Sequence, residues 1–378
     1  MSTGTVVVVG AGLAGSRCAE TLRAEGYDGR IVVFGDEPHA PYERPALSKE
    51  LLAGARESVD LRPEEFWADR EIELRLGERV ESVDLLGRVA GRVEWDALVL
   101  ATGARPRRLP GEQPAGVHVL RTRADADGLR AELRPGARLC VSGAGFVGAE
   151  AASTALSLGV DVTLVEAAPR PFVRALGPEV GGLLADHWRA RGADVRLGAG
   201  VERIEAGADG RVATVVLEDG SRIGCTAVLV GIGVTPAGEL LGQEAGIPTD
   251  ACGRTALPGV YACGDVASAF RPALGRRLRV EHWTSAAGQA AAVAHAILGR
   301  ERPYDDLPYF WSDQFGLRLQ YVGHAEDWHR VEIDGGPGEF TVRYLDEASR
   351  PLAALVANRP REIGALRREL GTALAEAA

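Results

Sequence analysis

The chain has 378 residues, 46% of them hydrophobic and 25% charged, and a formal net charge of −10. That length exceeds one ordinary core and predicts two or three domains. The acidic balance argues against a dominant nucleic-acid role, which needs a concentrated basic surface, and no apolar run approaches the ~18 residues that span a bilayer.

The N-terminus enters "TVVVVGAG" at once, so no targeting segment is expected. "TVVVVGAGLAGSRCAETLRAEG" (5–26) reads as a buried strand, a glycine turn and a helix with Ala14, Cys18 and Leu22 on one face. "RIVVFGDE" (30–37) is the next strand and completes a βαβ unit. Residues 38–64 are rich in Pro and charge and predict an excursion over a surface or cleft. Within it, "PYERPALSKE" holds Lys49, the one lysine in the chain; the other 42 strongly basic side chains are arginine. Arg is a wide, permanently charged fork, whereas Lys is a compact point charge, so a site that needs a small cation resists the exchange. "DALVLATGARP" (96–106) is a strand ending in a small-residue turn.

The pattern then restarts. "RLCVSGAGFVGAEAASTALSLG" (138–159) repeats strand, glycine turn and helix, and "DVTLVE" (161–166) supplies the second strand. The two units are offset by 133 positions, Gly10 to Gly143. More strands follow, with a hairpin signal at Asp219-Gly220. "SAAGQAAAVAHAILG" (285–299) is an Ala-rich helix. From about 305 the chain changes character, with the aromatic cluster "YFWSDQFG", alternation in "FTVRYLD" (340–346) and a closing helix from about 361.

Both "GAGLAG" (10–15) and "GAGFVG" (143–148) fit G-x-G-x-x-G in a strand–turn–helix context. The first glycine makes the tight turn, the second admits a pyrophosphate to the backbone, and the third lets helix pack on strand. The helix N-terminus offers N–H groups and a partial positive charge to the phosphates. Glu166 lies 18 residues past Gly148. That is close to the spacing of about 20 expected for a carboxylate on an adenine ribose 2′-hydroxyl, so NADH is predicted over NADPH. Arg170 and Arg174 are the side chains able to overturn that preference. In the first unit, Asp36 and Glu37 come one or two residues later than the matching position, and either is available to a ribose. The five cysteines form no C-x-x-C and no cluster has metal-ligand spacing, so reduced cytosolic thiols and no bound metal are expected.

Taken together, "GAGLAG", "PYERPALSK", "LATGARPR", "GAGFVGAE", "GIGVTP", "YACGDVA" and "YFWSDQFGLRLQ" closely resemble the FAD-dependent NADH–ferredoxin reductases of bacterial cytochrome P450 and ring-hydroxylating dioxygenase systems. The resemblance covers about residues 5–360. It implies an α/β fold with two Rossmann-like dinucleotide-binding domains, built like glutathione reductase, plus a small α+β C-terminal domain. The implied division is residues 1–106 and 237–304 for FAD, 107–236 for NAD and 305–378 for the last domain.

The same resemblance implies that Gly10, Gly12, Leu13, Ala14 and Gly15 cradle FAD, that Glu37 or Asp36 holds its ribose, and that the Val80 backbone meets its adenine. Ala101, Thr102 and Gly103 would lie beside the cofactor, Gly264 and Asp265 at its ribityl chain or pyrophosphate, and Arg44, Lys49, Arg121 and Trp283 near the flavin. NAD would be held by Gly143, Gly145, Phe146, Val147, Gly148, Glu150, Glu166 and Arg174, with Gly231, Ile232 and Gly233 of "GIG". Lys49 and Glu150 are implied to pair beside flavin N5, where a cation favours arriving electron density and the carboxylate offsets it. Glutathione reductase-like enzymes carry redox cysteines in the segment matching 41–49, and this chain has none there. Electrons are therefore expected to leave one at a time to a docked [2Fe–2S] ferredoxin that feeds a P450 or Rieske-type oxygenase. Its docking rim is expected among "YFWSDQ", "RPALGRRLR" (271–279) and "RPREIGALRR" (359–368). A reductase of rubredoxin, of a nitrite-reductase component or of a small molecule, and a redox-sensing interaction protein like apoptosis-inducing factor, are the alternatives. A cytoplasmic location without nucleic-acid or membrane partners completes the expectation.

Overall fold

In a computed structural model, described over residues 4–377, the first sheet is five parallel strands. Their order is Val260–Ala262, Ala97–Leu100, Thr5–Val9, Arg30–Gly35 and Ile72–Leu76. Val6 to Val9 are all buried, as expected for a parallel strand covered on both faces. The second sheet is also parallel, in the order Asp194–Leu197, Asp161–Glu166, Arg138–Ser142, Ala227–Val230 and Val117–His118.

The duplication read from the glycine turns extends to topology. In each sheet the strand that feeds the glycine turn is central, and its helix leads to the strand on one side. A later strand pairs on the other side. The two helices, Leu13–Ala24 and Phe146–Ser157, begin 133 residues apart. Such a reversal of strand order opens a crevice at the carboxyl ends of the strands, where ligands bind. The outer strands break the symmetry. Val260–Ala262 returns late to close the first sheet, whereas Val117–His118 precedes the second. The outgoing segment Ala104–Pro106 and the returning segment Val234–Pro236 pair antiparallel, so the two crossings between the units are tied together.

The last sheet is antiparallel, in the order Tyr309–Gln314, Leu317–Gly323, Pro351–Ala357, Glu339–Leu345 and Arg330–Gly336. The alternation at 340–346 predicts one wet face, but both faces are covered. Phe340, Val342 and Tyr344 join Leu184 and Trp188 of the second unit in one core. Neighbouring strands of the sheet turn Val322, Ala354 and Val356 toward Leu366 and Leu370 of the closing helix.

Some boundaries move. The Ala-rich helix runs Trp283–Ile297 and the closing helix Ile363–Ala377. The helix Val173–Ala190 has no counterpart in the sequence reading, and Gly177 (φ 82°) and Pro178 interrupt it. The 38–64 excursion is more than a surface loop. Tyr42, Ala46, Leu47, Leu51 and Val59 form their own buried cluster with Ala126, which fixes the segment carrying Lys49. Among the described residues, no helix is long and apolar enough to cross a membrane.

Candidate active site

The two glycine turns separate what the protein needs from what a ligand needs. A Cβ on Gly10 would lie 2.2 Å from the Ala101 carbonyl oxygen, at φ +116°, and one on Gly143 2.4 Å from that of Gly231, at φ +99°. A Cβ on Gly15 or Gly148 would stand 1.9 or 2.2 Å from the carbonyl oxygen of the first glycine of its own turn. These four are demanded by packing. Gly12 and Gly145 are not: a Cβ there meets nothing within 4 Å, and their φ of −75° and −81° suit any residue. Each sits at the start of a helix, where unpaired N–H groups face outward. A bare cradle that a methyl group would fill fits a pyrophosphate at both turns.

The first turn opens into a cavity of about 810 Å³. Gly10, Gly12, Leu13, Ala14, Ala101, Thr102 and Gly103 line it at the sheet end, and Asp36, Glu37 and Val80 on one side. Arg44, Lys49, Arg121, Gly264, Asp265 and Trp283 complete the expected flavin set. Gly15 lies behind the turn, where its role is the helix–strand contact. Phe146, Val147 and Glu150 of the second unit reach the same wall. The size and the mix of apolar surface with a few fixed polar groups suit a dinucleotide.

Charges in this cavity are held in place. Glu37 accepts from the Tyr42 hydroxyl (2.6 Å) and from Arg44 Nη2 (2.8 Å). Burial pushes the Glu37 carboxyl up, but Arg44 and Tyr42 outweigh it and the net is below the usual value. Arg44 also donates to the Arg121 carbonyl, and Arg121 Nη2 pairs with Asp265 at 2.8 Å. Thr102 Oγ1 donates to the Ala237 carbonyl at 2.6 Å, locking the crossover beneath the cavity.

Lys49 and Glu150 meet. Lys49 Nζ lies 2.6 Å from Glu150 Oε2, which also accepts from Ser48 Oγ at 2.6 Å, while Oε1 accepts from Ser312 Oγ at 2.7 Å. Glu150 is only 6% exposed. A buried charge is tolerated when paired and hydrogen-bonded, and this one has both. The residues come from three segments 101 and 162 positions apart, so the pair is a product of the tertiary structure.

The second turn is arranged differently. Glu166 Oε2 accepts from the Ala144 N–H (3.0 Å) and Oε1 from the Ala168 N–H (2.9 Å), so the carboxylate stands at the turn with lone pairs to spare. Gly231 backs Gly143, and Ile232 and Val147 expose apolar side chains beside them. Arg170 packs over Gly181 and Gly182 of the neighbouring helix, and Arg174 is exposed on that helix. Thus Gly143, Gly145, Gly148, Glu166, Arg174, Gly231, Ile232 and Gly233 do not line the main cavity, whereas Phe146, Val147 and Glu150 of the same unit do.

Sequence reasoning gave no role in the site to Tyr42, Ser48 or His282, and expected Phe310 and Ser312, within "YFWSDQ", at the docking rim, whereas Phe310 lines the cavity and Ser312 is fully buried. Tyr42 and Ser48 stand inside the segment singled out for Lys49, but nothing in the spacing marks Ser312. The Trp283 and Trp311 rings lie 6.3 Å apart on the cavity wall. His282 sits beside Phe310, its Nδ1 enclosed and without a partner among the described residues; burial lowers its pKa to about 4, against the pull of Asp265. All five cysteines are buried. Burial pushes the Cys263 thiol up to about 12, and none of the five lines the cavity.

Of the expected docking runs, Arg271 is a correction. It is 2% exposed, stacked 4.2 Å over the Tyr304 ring and bonded to the Asp306 carbonyl, so it faces no partner. Arg276 and Arg359 are paired with Glu326 and Asp334, whereas Arg277, Arg367 and Arg368 are exposed.

Comparison with known proteins adds an independent line. Residues 4–290 match the family described as pyridine nucleotide-disulphide oxidoreductase, and residues 309–376 match the reductase C-terminal family. The 5,5′-dehydrodivanillate O-demethylase ferredoxin reductase subunit of Sphingobium sp. is 42% identical over 356 residues, covering 90% of this chain and 86% of that one. The biphenyl dioxygenase system ferredoxin–NAD(+) reductase component of Paraburkholderia xenovorans is 36% identical, covering 97% and 93%. Among solved structures, the covalent putidaredoxin reductase–putidaredoxin complex superposes with a TM-score of 0.93 at 34% identity, covering 98% and 93%.

Proposed function

The chain belongs to the pyridine nucleotide-disulphide oxidoreductase family, and on that premise we propose that it is an NADH-dependent ferredoxin reductase. It draws reducing equivalents from NADH through FAD to a [2Fe–2S] ferredoxin that feeds a P450 or Rieske-type oxygenase. The observation that carries this reading is the cavity at the first glycine turn, closed by a lysine–glutamate pair and free of cysteine. When bound, flavin supplies what the side chains lack: it accepts a hydride and returns electrons singly.

The chain's own residues bind, orient and balance charge. Gly12 and Gly145 leave room for the two pyrophosphates at the helix N-termini. Glu166 accepts a ribose 2′-hydroxyl and repels a 2′-phosphate. Lys49 places a compact positive charge at the junction of the two sites, and Glu150 offsets it. Trp283 and Trp311 exclude water from the cavity wall. The domain division 1–106 with 237–304, 107–236, and 305–378 rests on the paired crossovers. The buried thiols and the soluble donor support a cytoplasmic location.

The test is direct. Purified protein is expected to be yellow, to bleach rapidly with NADH and much more slowly with NADPH in stopped flow, and then to reduce a [2Fe–2S] ferredoxin. Equal rates with the two nucleotides would refute the role of Glu166. Rapid bleaching with no transfer to any ferredoxin tried would refute the acceptor.

A further inference from the structure

The Glu150 carboxylate is held from a direction that the hydride site does not require. Oε2 takes Lys49 and Ser48, both from the segment beside the first unit. Oε1 takes Ser312 Oγ, from the edge strand of the last sheet. A carboxylate has no proton to give, so the hydroxyl donates to it. The Ser312 oxygen in turn accepts from Gln314 Nε2 at 3.1 Å. Ser312 and Gln314 alternate on one face of the strand and are 0% and 2% exposed. Donors therefore converge on the Glu150 carboxylate from two sides: Gln314 N–H to Ser312 and Ser312 O–H to Oε1 on one, the Lys49 ammonium to Oε2 on the other.

The helix that carries Glu150 is fastened to both neighbours. Thr154 Oγ1 donates to the Ser48 carbonyl at 2.7 Å, and the Phe315 N–H donates to Ser153 Oγ at 2.7 Å. The backbone positions are thus fixed, and what remains free is the rotation of the carboxylate itself. Without the Ser312 donor, Oε1 is buried with no partner, a state that costs free energy and is relieved by turning away or by taking up a proton. Either response leaves the Lys49 charge less well offset.

We infer that Ser312, supported by Gln314, is a positioning residue for Glu150, so that the last sheet sets the charge balance at the flavin as well as facing the electron acceptor. This rests on the reading of Lys49 as a neighbour of bound FAD. Polar groups buried at such a junction act through orientation, and their removal is felt electrostatically because little water is present to screen it.

The experiment measures the midpoint potential of the bound flavin by dye-coupled photoreduction in wild type, Ser312→Ala and Ser312→Thr, with flavin content and melting temperature recorded for each. Ser312→Ala is expected to shift the potential to more positive values, as an under-compensated cation favours the reduced, more negative cofactor. Ser312→Thr retains the hydroxyl and is expected to stay at the wild-type value. Flavin reduction by NADH, followed without ferredoxin, is expected to change about tenfold in Ser312→Ala, the size of effect that about 1.4 kcal/mol produces. An unmoved potential in a folded, flavin-replete Ser312→Ala protein overturns the inference, as does a Thr variant that shifts as far as the Ala variant. Should Ser312→Ala fail to hold flavin, Gln314→Met decides instead: a smaller shift of the same sign supports the inference, and none overturns it. A colourless wild type would defeat the wider reading; a yellow wild type with an unmoved variant defeats only the Ser312 assignment.

Discussion

At the scale of single residues, two glycines that look alike in sequence answer to different demands. Gly143 has a positive φ and a carbonyl where a Cβ would stand; Gly145 has neither. Gly145→Ala is therefore expected to fold with a melting temperature within a few degrees of wild type and to keep its FAD. Its affinity for NADH should fall about tenfold or more, because the methyl occupies the space a pyrophosphate needs, and about 1.4 kcal/mol is a factor of ten. Gly143→Ala is expected to lose several kcal/mol of stability through strain and overlap. Calorimetry of NADH binding beside thermal melts of both variants checks the contrast; equal destabilisation would contradict it. The motif gave each glycine its role from the sequence, the middle one for the ligand and the outer two for the turn and the packing; what the structure adds is which atoms lie opposite each Cβ, the Gly231 carbonyl at Gly143 and open space at Gly145.

At the scale of elements, the helix Trp283–Ile297 begins on His282, whose ring is enclosed against Phe310. Burial keeps this imidazole neutral down to about pH 4, whereas in the unfolded chain it takes a proton near 6.5. Between those values the unfolded state binds more protons, so stability rises with pH across that window and is lost as pH falls from about 6.5 to about 4. The loss at the acid end is of the order of 3 kcal/mol, from about 2.5 pKa units at about 1.36 kcal/mol each. Melting curves across that range should show a shallower pH dependence in His282→Gln than in wild type, and parallel curves would count against the assignment. Elements with strong apolar runs, such as Thr5–Val9 and Arg138–Ser142, were legible from the sequence. The helix Val173–Ala190 was not, because Gly177 and Pro178 interrupt its period and its apolar face is fixed by packing against the last sheet.

At the scale of the whole molecule, the chain carries a net charge of −10, so docking of an acidic ferredoxin would need a local patch of opposite sign. Arg277, Arg367 and Arg368 are exposed, and Arg367 lies 4.6 Å over the ring of Tyr309, two residues from the cavity-lining Trp311. If these arginines form the expected docking rim, they would steer an acidic ferredoxin despite the overall charge, and salt would screen them over about 10 Å at 0.1 M. The apparent kcat/KM for ferredoxin should therefore fall several-fold between low and high ionic strength, with a weaker dependence in Arg367→Ala/Arg368→Ala. A flat salt profile would remove steering from the account. By itself the sequence determined the two dinucleotide units, their glycine turns and the absence of a redox cysteine beside Lys49, because these follow from local period, spacing and residue type. Only the tertiary structure decided that Ser48, Lys49 and Ser312 converge on one buried carboxylate, and that Arg271 is stacked inside rather than offered to a partner. The physical reason is distance along the chain. Hydrogen bonds and charge pairs act over a few ångströms, and groups more than a hundred residues apart reach that range only when the sheets and crossovers that carry them have packed.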